Sequence, residues 1–105
     1  MAKGYWVAHV DVHDAEGYKA YVAANGKAFA KYGARFLVRG GRFECTEGTT
    51  RSRTVVIEFK DYETALACYR SPEYAQALKH RLKTSAGDVI VIEGYDGTQP
   101  VAPGS

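Results

Sequence analysis

The sequence predicts a single α+β domain built on one antiparallel sheet, and three observations lead to this fold class. The chain has 105 residues, 46% of them hydrophobic and 25% charged, which is typical of one globular domain. Four stretches rich in β-branched and aromatic residues indicate strands. Stretches with apolar residues at helical spacing separate the first strand from the second and the third from the fourth.

The chain begins with a predicted strand and a long helix. Residues 5–12 are rich in aromatic and β-branched residues and form the strand. Asp14 is suited to cap a helix over residues 15–32. We expect this helix to continue through Asn25 and Gly26, because its apolar stripe stays in phase beyond them.

The middle of the chain is predicted to hold two further strands. Residues 35–39 form the second strand, and Gly40-Gly41 form a turn or bulge. The strand pattern resumes over residues 42–47, so the second strand is expected to bend at the glycines. A loop then leads to residues 54–59, which form the strongest strand pattern in the chain.

The last part of the chain is predicted to add helix and strand in the same order. Its elements are a helix capped by Asp61, a restart at Ser71 that is helical over 72–82, a loop over 84–87, a strand over 88–93 and a flexible tail over 96–105. The domain is therefore expected to span residues 1–95.

The element order is that of the ferredoxin-like βαββαβ fold. Right-handed crossovers place the helices on one face of a four-stranded antiparallel sheet. Both faces of the predicted strands are apolar, yet the helices cover only one of them. We therefore expect a homodimer in which two sheets pack face to face as a dimeric α/β barrel. The alternative is that the tail or a long loop covers the second face.

Charge and composition exclude several classes of function. The net charge is only +2, so neither nucleic acid nor a membrane surface is an expected partner. No apolar run approaches the roughly 20 residues that span a bilayer. The strand pattern begins within a few residues of Met1, so we expect a cytoplasmic protein with Cys45 and Cys68 as reduced, free thiols.

Alternation along the strands suggests a candidate site on the face away from the helices. If the more apolar side of residues 54–59 faces the helices, Glu58 points the other way, and His9 and Arg39 are expected beside it. Glu58 and His9 are then a candidate acid–base pair, and Arg39 a ligand anchor. Tyr5 and Tyr18 are further candidate ligand-binding residues. The alternative is that these charges form structural ion pairs at the dimer seam.

Several segments together resemble a known bacterial family. They are residues 30–41, 55–59, 69–74 and 89–94, with Asp14, Tyr18, Tyr21 and Arg81. Over residues 4–94 the chain resembles domain-of-unknown-function family 1330 of the dimeric α/β-barrel superfamily. The resemblance implies the fold and a dimer but no established reaction. Members of that superfamily commonly bind small molecules between the sheet and the helices or inside the barrel.

Two functions remain open from the sequence. The first is binding or conversion of a small molecule in a cavity of the dimeric barrel, without a prosthetic group. The second is a non-catalytic dimeric module for ligand binding or interaction. No cofactor is expected, since His80 lies in a Lys- and Arg-rich stretch that does not suit a haem ligand. No metal site is expected, because His9 and His13 are about 13 Å apart along one strand.

Overall fold

A computed structural model describes residues 2–103 of the chain and confirms the ferredoxin-like fold. Its elements are β1 (Gly4–Val12), α1 (Ala15–Lys31), β2 (Arg35–Arg39), β3 (Arg53–Phe59), α2 (Tyr62–Tyr69), α3 (Pro72–Thr84) and β4 (Ser85–Glu93). The strands form one antiparallel sheet in the order β2-β3-β1-β4. Met1 of the predicted domain and residues 104–105 of the predicted tail lie outside the described residues.

Each helix begins where the sequence offers a capping side chain. The carboxylate of Asp14 accepts a hydrogen bond from the Gly17 amide at 3.0 Å and starts α1. Asp61 caps α2 in the same way. The Ser71 hydroxyl accepts from the Tyr74 amide at 3.1 Å at the start of α3, where Pro72 occupies the first turn. These contacts satisfy amides that otherwise lack a partner inside the helix.

Two boundaries differ from those expected. The loop predicted over residues 84–87 is wrong, because α3 continues to Thr84 and β4 begins at the next residue. The Thr84 carbonyl accepts from the amides of His13 and Asp14, which fixes the helix end directly against the end of β1. The strand pattern over residues 42–47 is also not realised, since β2 ends at Arg39 and no regular structure follows until β3.

The core lies between the helices and one face of the sheet and is centred on Trp6. Its ring contacts four other aromatic rings, with centroids 4.9–5.5 Å away, from β3 and all three helices: Phe29, Phe59, Tyr69 and Tyr74. The indole Nε1–H donates to the Ala65 carbonyl at 2.8 Å. One side chain of β1 thus ties the sheet to α1, α2 and α3.

The opposite face of the sheet carries no helix, and we call it the open face. Tyr5 and Val7 of β1 lie on it, together with their Cα partners on β3 and β4. Ile90 and Ile92 are 53% and 46% exposed there. This surface matches the second apolar face expected from the sequence.

A bulge in β2 changes which face its last residue occupies. Phe36 pairs with Ile57, but the next pair along the strands is Val38 with Val56, so Leu37 is an extra residue. The following pair, Arg39 with Val55, is therefore on the helix side of the sheet. The bulge precedes Gly40-Gly41, where the sequence suggested an irregularity.

The two cysteines occupy contrasting environments, which gives a first testable prediction. Both are free; Cys45 is exposed and Cys68 is buried. Burial, and to a lesser extent the charge of Glu73, raises the pKa of the Cys68 thiol to about 12. We expect an aromatic disulfide reagent to titrate one thiol in the native protein and two after denaturation, without added reductant. Cys45→Ser should remove the native equivalent; a total of zero would contradict the free thiols.

Candidate functional site

A cavity of about 40 Å³ lies between the helix side of the sheet and helices α1 and α3. It is lined by Trp6, Ala8, Val10, Tyr18, Tyr21, Val22, Asn25, Phe29, Phe36, Arg39, Arg53, Val55, Ile57, Tyr74, Arg81 and Val89. We call it the helix-side cavity. Most of these side chains are apolar or aromatic, and exposed Arg39 and Val22 mark its opening to solvent.

Arg81 is the most deeply buried charge of the helix-side cavity. It lies in the last turn of α3, and only 6% of its surface is exposed. Its guanidinium lies beside the hydroxyls of Tyr74 and Tyr21. Burial opposes its charge; the pKa of Arg81 is nevertheless raised, because a close polar contact with the Tyr74 hydroxyl and the negative charge that the tyrosines acquire only when they ionise at high pH favour the guanidinium. The Nε–H of Arg81 is buried and has no hydrogen-bond partner among the described residues.

Tyr21 and Tyr74 form a hydroxyl pair next to this guanidinium. Their oxygens are 2.9 Å apart, and either hydroxyl can be the donor. Burial is the main cause that raises the pKa of both phenols, so both stay protonated at neutral pH. One hydroxyl proton is used within the pair, and the other remains available to donate to a bound group.

Arg53 and Arg39 place two further cations on neighbouring strands of the same cavity. Arg39 pairs with Val55, two residues from Arg53 on the same face of β3, a diagonal position about 7–8 Å away across the strands. The Arg53 guanidinium lies over Gly40, where a Cβ atom would collide with it, and Gly40 has a φ of 66°. The Nε–H of Arg53 is also buried without a partner.

Arg51 lies outside the helix-side cavity and, unlike the arginines that line it, is paired with carboxylates. Its Nη1 and Nε donate to the carboxylates of Asp11 and Asp88, both at 2.9 Å. The Ser52 amide also donates to Asp11, and this bond, helped by Arg51, lowers the pKa of that carboxyl. By contrast, none of Arg39, Arg53 and Arg81 has a carboxylate within 4 Å among residues 2–103.

The chemistry of the lining favours binding of an anion. Within the part of the chain that the structure describes, it carries three guanidinium groups, three tyrosines and the buried Asn25, and no aspartate, glutamate, histidine, cysteine, serine, threonine or lysine. Such a site can hold negative charge and donate hydrogen bonds. It offers no side chain that accepts a proton near neutral pH, since the phenol pKa values of Tyr21 and Tyr74 are raised.

The cluster predicted around Glu58 does not form in the protomer. Glu58 lies on the open face as expected, but its Cα partner on β1 is Tyr5, whereas His9 pairs with Thr54. His9 is therefore four residues, or about 13 Å, from Glu58 along the strands. Its Nδ1 lies 3.1 Å from the Thr54 hydroxyl. The expectation that His9 and Glu58 are neighbours was wrong.

The bulge in β2 separates Arg39 from Glu58, so this part of the predicted cluster was also wrong. Arg35, not Arg39, is the Cα partner of Glu58 on β2. The sequence singled out five residues. Arg39 and Tyr18 line the helix-side cavity, whereas Tyr5, His9 and Glu58 lie on the open face.

Sequence reasoning missed the two arginines with buried, unpartnered Nε atoms. Arg53 falls in the loop predicted before residues 54–59, but it begins β3. It shares the alternation of Val55, Ile57 and Phe59, which points it to the helix side. Arg81 lies seven residues after Tyr74, on the apolar stripe of the same helix. In both cases the sequence places an arginine among the apolar residues of one face of its strand or helix, and this pattern could have identified it as a site residue.

Comparison with known proteins identifies the family. Residues 3–95 match the domain of unknown function DUF1330. The chain belongs to this family. The match confirms the resemblance noted in the sequence. No curated protein sequence matches the chain.

Several solved structures share the fold at low sequence identity. A protein of unknown function from Rhodopseudomonas palustris is 20% identical, with a TM-score of 0.70 over 94% of this chain and 85% of that chain. SnoaB, a cofactor-independent oxygenase from Streptomyces nogalater, is 13% identical, with a TM-score of 0.61 over 98% and 99%. A dimeric ferredoxin-like protein of unknown function from Thermobifida fusca is 14% identical, with a TM-score of 0.56 over 88% and 89%.

Two further features of the described chain limit the candidate sites. No three His, Cys, Asp or Glu side chains among residues 2–103 converge in a way that could hold a metal ion. Within the same residues, no helix has both the length and the apolar character needed to cross a membrane.

Proposed function

We propose that the protein binds the carboxylate of a small organic acid in the helix-side cavity. The observation that carries this proposal is the buried guanidinium of Arg81, whose Nε–H has no partner although it lies beside two protonated tyrosines. A carboxylate placed there accepts from the Nε–H and from the free hydroxyl proton of the Tyr21–Tyr74 pair. It also supplies the negative charge that the lining lacks.

The energetics of burial support this assignment. An uncompensated charge removed from water costs several kcal/mol, so buried cations in proteins are normally paired. Arg51 is only half-buried and still has two carboxylates, whereas the more deeply buried Arg81 has neutral tyrosine hydroxyls beside it and no carboxylate within 4 Å among residues 2–103. A ligand that provides the missing charge recovers this cost on binding.

The size of the cavity favours a short ligand. Its volume of about 40 Å³ is well below the roughly 150 Å³ of a cavity that holds benzene. This space is large enough for little more than a carboxylate group, since one water occupies about 30 Å³ in the liquid, and the carbon chain of the ligand extends toward Arg39 and the opening to solvent. The absence of a proton acceptor from the described lining favours binding over acid–base catalysis.

A panel of short acids tests the proposed function. We expect butyrate or succinate to raise the melting temperature of the protein in a concentration-dependent way, because the ligand binds only the folded state. Butylamine and butanol, which match butyrate in size but carry no negative charge, should have no effect. If no carboxylate in the panel stabilises the protein or releases heat in calorimetry, the proposed function is wrong.

We also propose that the open face pairs with the open face of a second copy. Ile90, Ile92 and Val38 are exposed there, beside the half-buried Val7 and Val56. A four-stranded face has a flat footprint of roughly 350 Å² before side-chain relief, and a monomer that exposed it would tend to aggregate. The ferredoxin-like protein from Thermobifida fusca that shares this fold is dimeric, which supports a dimer here.

The oligomeric state is the corresponding prediction. Light scattering should give about twice the protomer mass of 11.5 kDa. Ile90→Lys should yield a monomer at micromolar concentration. Because a C2 interface uses the same surface of both copies, it would bury two introduced lysines, one from each copy, in one apolar patch. Leu82→Lys is the matched control, since Leu82 is exposed on α3 away from the sheet. A wild-type monomer at this concentration would contradict the dimer.

A further inference from the structure

The helix-side cavity holds two orphaned donors on different elements of the fold. One is the Nε–H of Arg81 on α3, and the other is the Nε–H of Arg53 at the start of β3. Both are buried and without a hydrogen-bond partner among residues 2–103. They also have separate surroundings, because Arg81 lies against tyrosine hydroxyls whereas Arg53 lies over Gly40.

A single carboxylate does not satisfy this arrangement. Its two oxygens match one guanidinium fork, so a monoacid held by Arg81 leaves the Arg53 Nε–H without an acceptor. Arg39 lies at the opening of the cavity, diagonal to Arg53, where it can contact the same second group of a longer ligand. Its guanidinium lies 4.0 Å from the centroid of the Phe36 ring and has no carboxylate within 4 Å among residues 2–103.

We propose that the ligand of the helix-side cavity is a short dicarboxylate, with one carboxylate at Arg81 and the other at Arg53 and Arg39. This inference rests on the proposed function and specifies its ligand class. A monoacid and one end of the diacid both occupy the buried site formed by Arg81 and the tyrosine hydroxyl that donates to it. The Arg53–Arg39 site lies where the cavity opens to solvent and selects for the second charge.

The apolar lining near the arginines suits the carbon chain of such a ligand. Val10 is the Cα partner of Arg53, and Val55 is the Cα partner of Arg39. Both side chains line the same cavity. A chain of a few methylene groups contacts them while its two ends reach the cations, and a ligand of the wrong length leaves one end unpaired.

A comparison of diacids with a monoacid of similar size tests this proposal. Calorimetry with malonate, succinate and glutarate should show one preferred length, bound at least about tenfold more tightly than butyrate, since a hydrogen-bonded charge contributes such a factor. Arg53→Met should weaken binding of that diacid by at least about tenfold more than it weakens binding of butyrate, so that the two ligands then bind with similar affinity. Arg53→Lys, which keeps the charge but loses the Nε–H, should give an intermediate affinity.

The possible results of these experiments distinguish a failure of the dicarboxylate inference from a failure of the proposed function. Arg42→Met is the matched control, because Arg42 is exposed in the loop after β2 and does not line the cavity. Equal affinity for butyrate and all the diacids would overturn the dicarboxylate inference and leave the proposed function standing. A loss of butyrate and diacid binding by the same factor in Arg53→Met would also overturn it. No binding of any acid would overturn both, and binding of inorganic sulfate as tightly as the preferred diacid would show an unselective anion site instead.

Discussion

Arg81→Met is expected to abolish acid binding without destabilising the free protein. The variant removes the guanidinium that holds the carboxylate, so the affinity for both monoacids and diacids should fall by about 100-fold or more. In the absence of ligand, Arg81 is a buried cation with an unpartnered Nε–H. Removing it leaves no opposite charge unpaired, which is the main cost when one partner of a buried ion pair is replaced. Methionine also follows the unbranched shape of the arginine stem.

Two measurements on the same variant distinguish a binding role from a structural one. Calorimetry gives the affinity, and urea unfolding at a fixed protomer concentration gives the free energy of unfolding, which should equal or exceed that of the wild type. We expect Tyr21 and Tyr74 to keep their mutual hydrogen bond in the variant, although Tyr74 loses its contact with the guanidinium. A loss of more than about 2 kcal/mol in unfolding free energy would mean that Arg81 holds the two tyrosines in place and has a structural role. Arg42→Met should change neither quantity.

The fold could be predicted because local and global signals agree in this chain. Asp14, Asp61 and Ser71 are capping residues that mark the helix starts, and the structure uses all three. Alternation along residues 54–59 assigned Ile57 and Phe59 to the helix side, where both are buried. The end of α3 was harder, because Gly87 and Ser85 suggested a loop, whereas hydrogen bonds from His13 and Asp14, which follow β1, fix the helix end there.

The candidate site could be predicted only in part, because it depends on register between strands. A single extra residue, Leu37, turns Arg39 from one face of the sheet to the other. Nothing in the sequence around it distinguishes a bulge at Leu37 from one at Gly40-Gly41. Register also separates His9 from Glu58, since neighbouring strands and matching faces do not fix the position along the strand.

The second large effect is expected at Trp6, whose loss should remove much of the stability of the fold. Trp6 is 2% exposed and contacts rings from β3 and from all three helices. Truncation of a buried tryptophan to alanine typically costs about 3–5 kcal/mol, because the surroundings only partly fill the space. Domains of this size are stable by only about 5–15 kcal/mol. We therefore expect Trp6→Ala to be barely folded at 25 °C.

Trp6→Phe separates the packing of this residue from its hydrogen bond. Phenylalanine keeps an aromatic ring but lacks the Nε1–H that donates to the Ala65 carbonyl, so we expect a smaller loss of about 1–3 kcal/mol. Trp6 is the only tryptophan of the chain, so unfolding must be followed by circular dichroism, with all variants at one protomer concentration. Tyr95→Ala is the control, because Tyr95 is 71% exposed and its loss should cost less than about 0.5 kcal/mol. Equal unfolding free energies for Trp6→Ala and Tyr95→Ala would contradict the central place of Trp6, since four ring contacts and a buried hydrogen bond would then contribute nothing measurable.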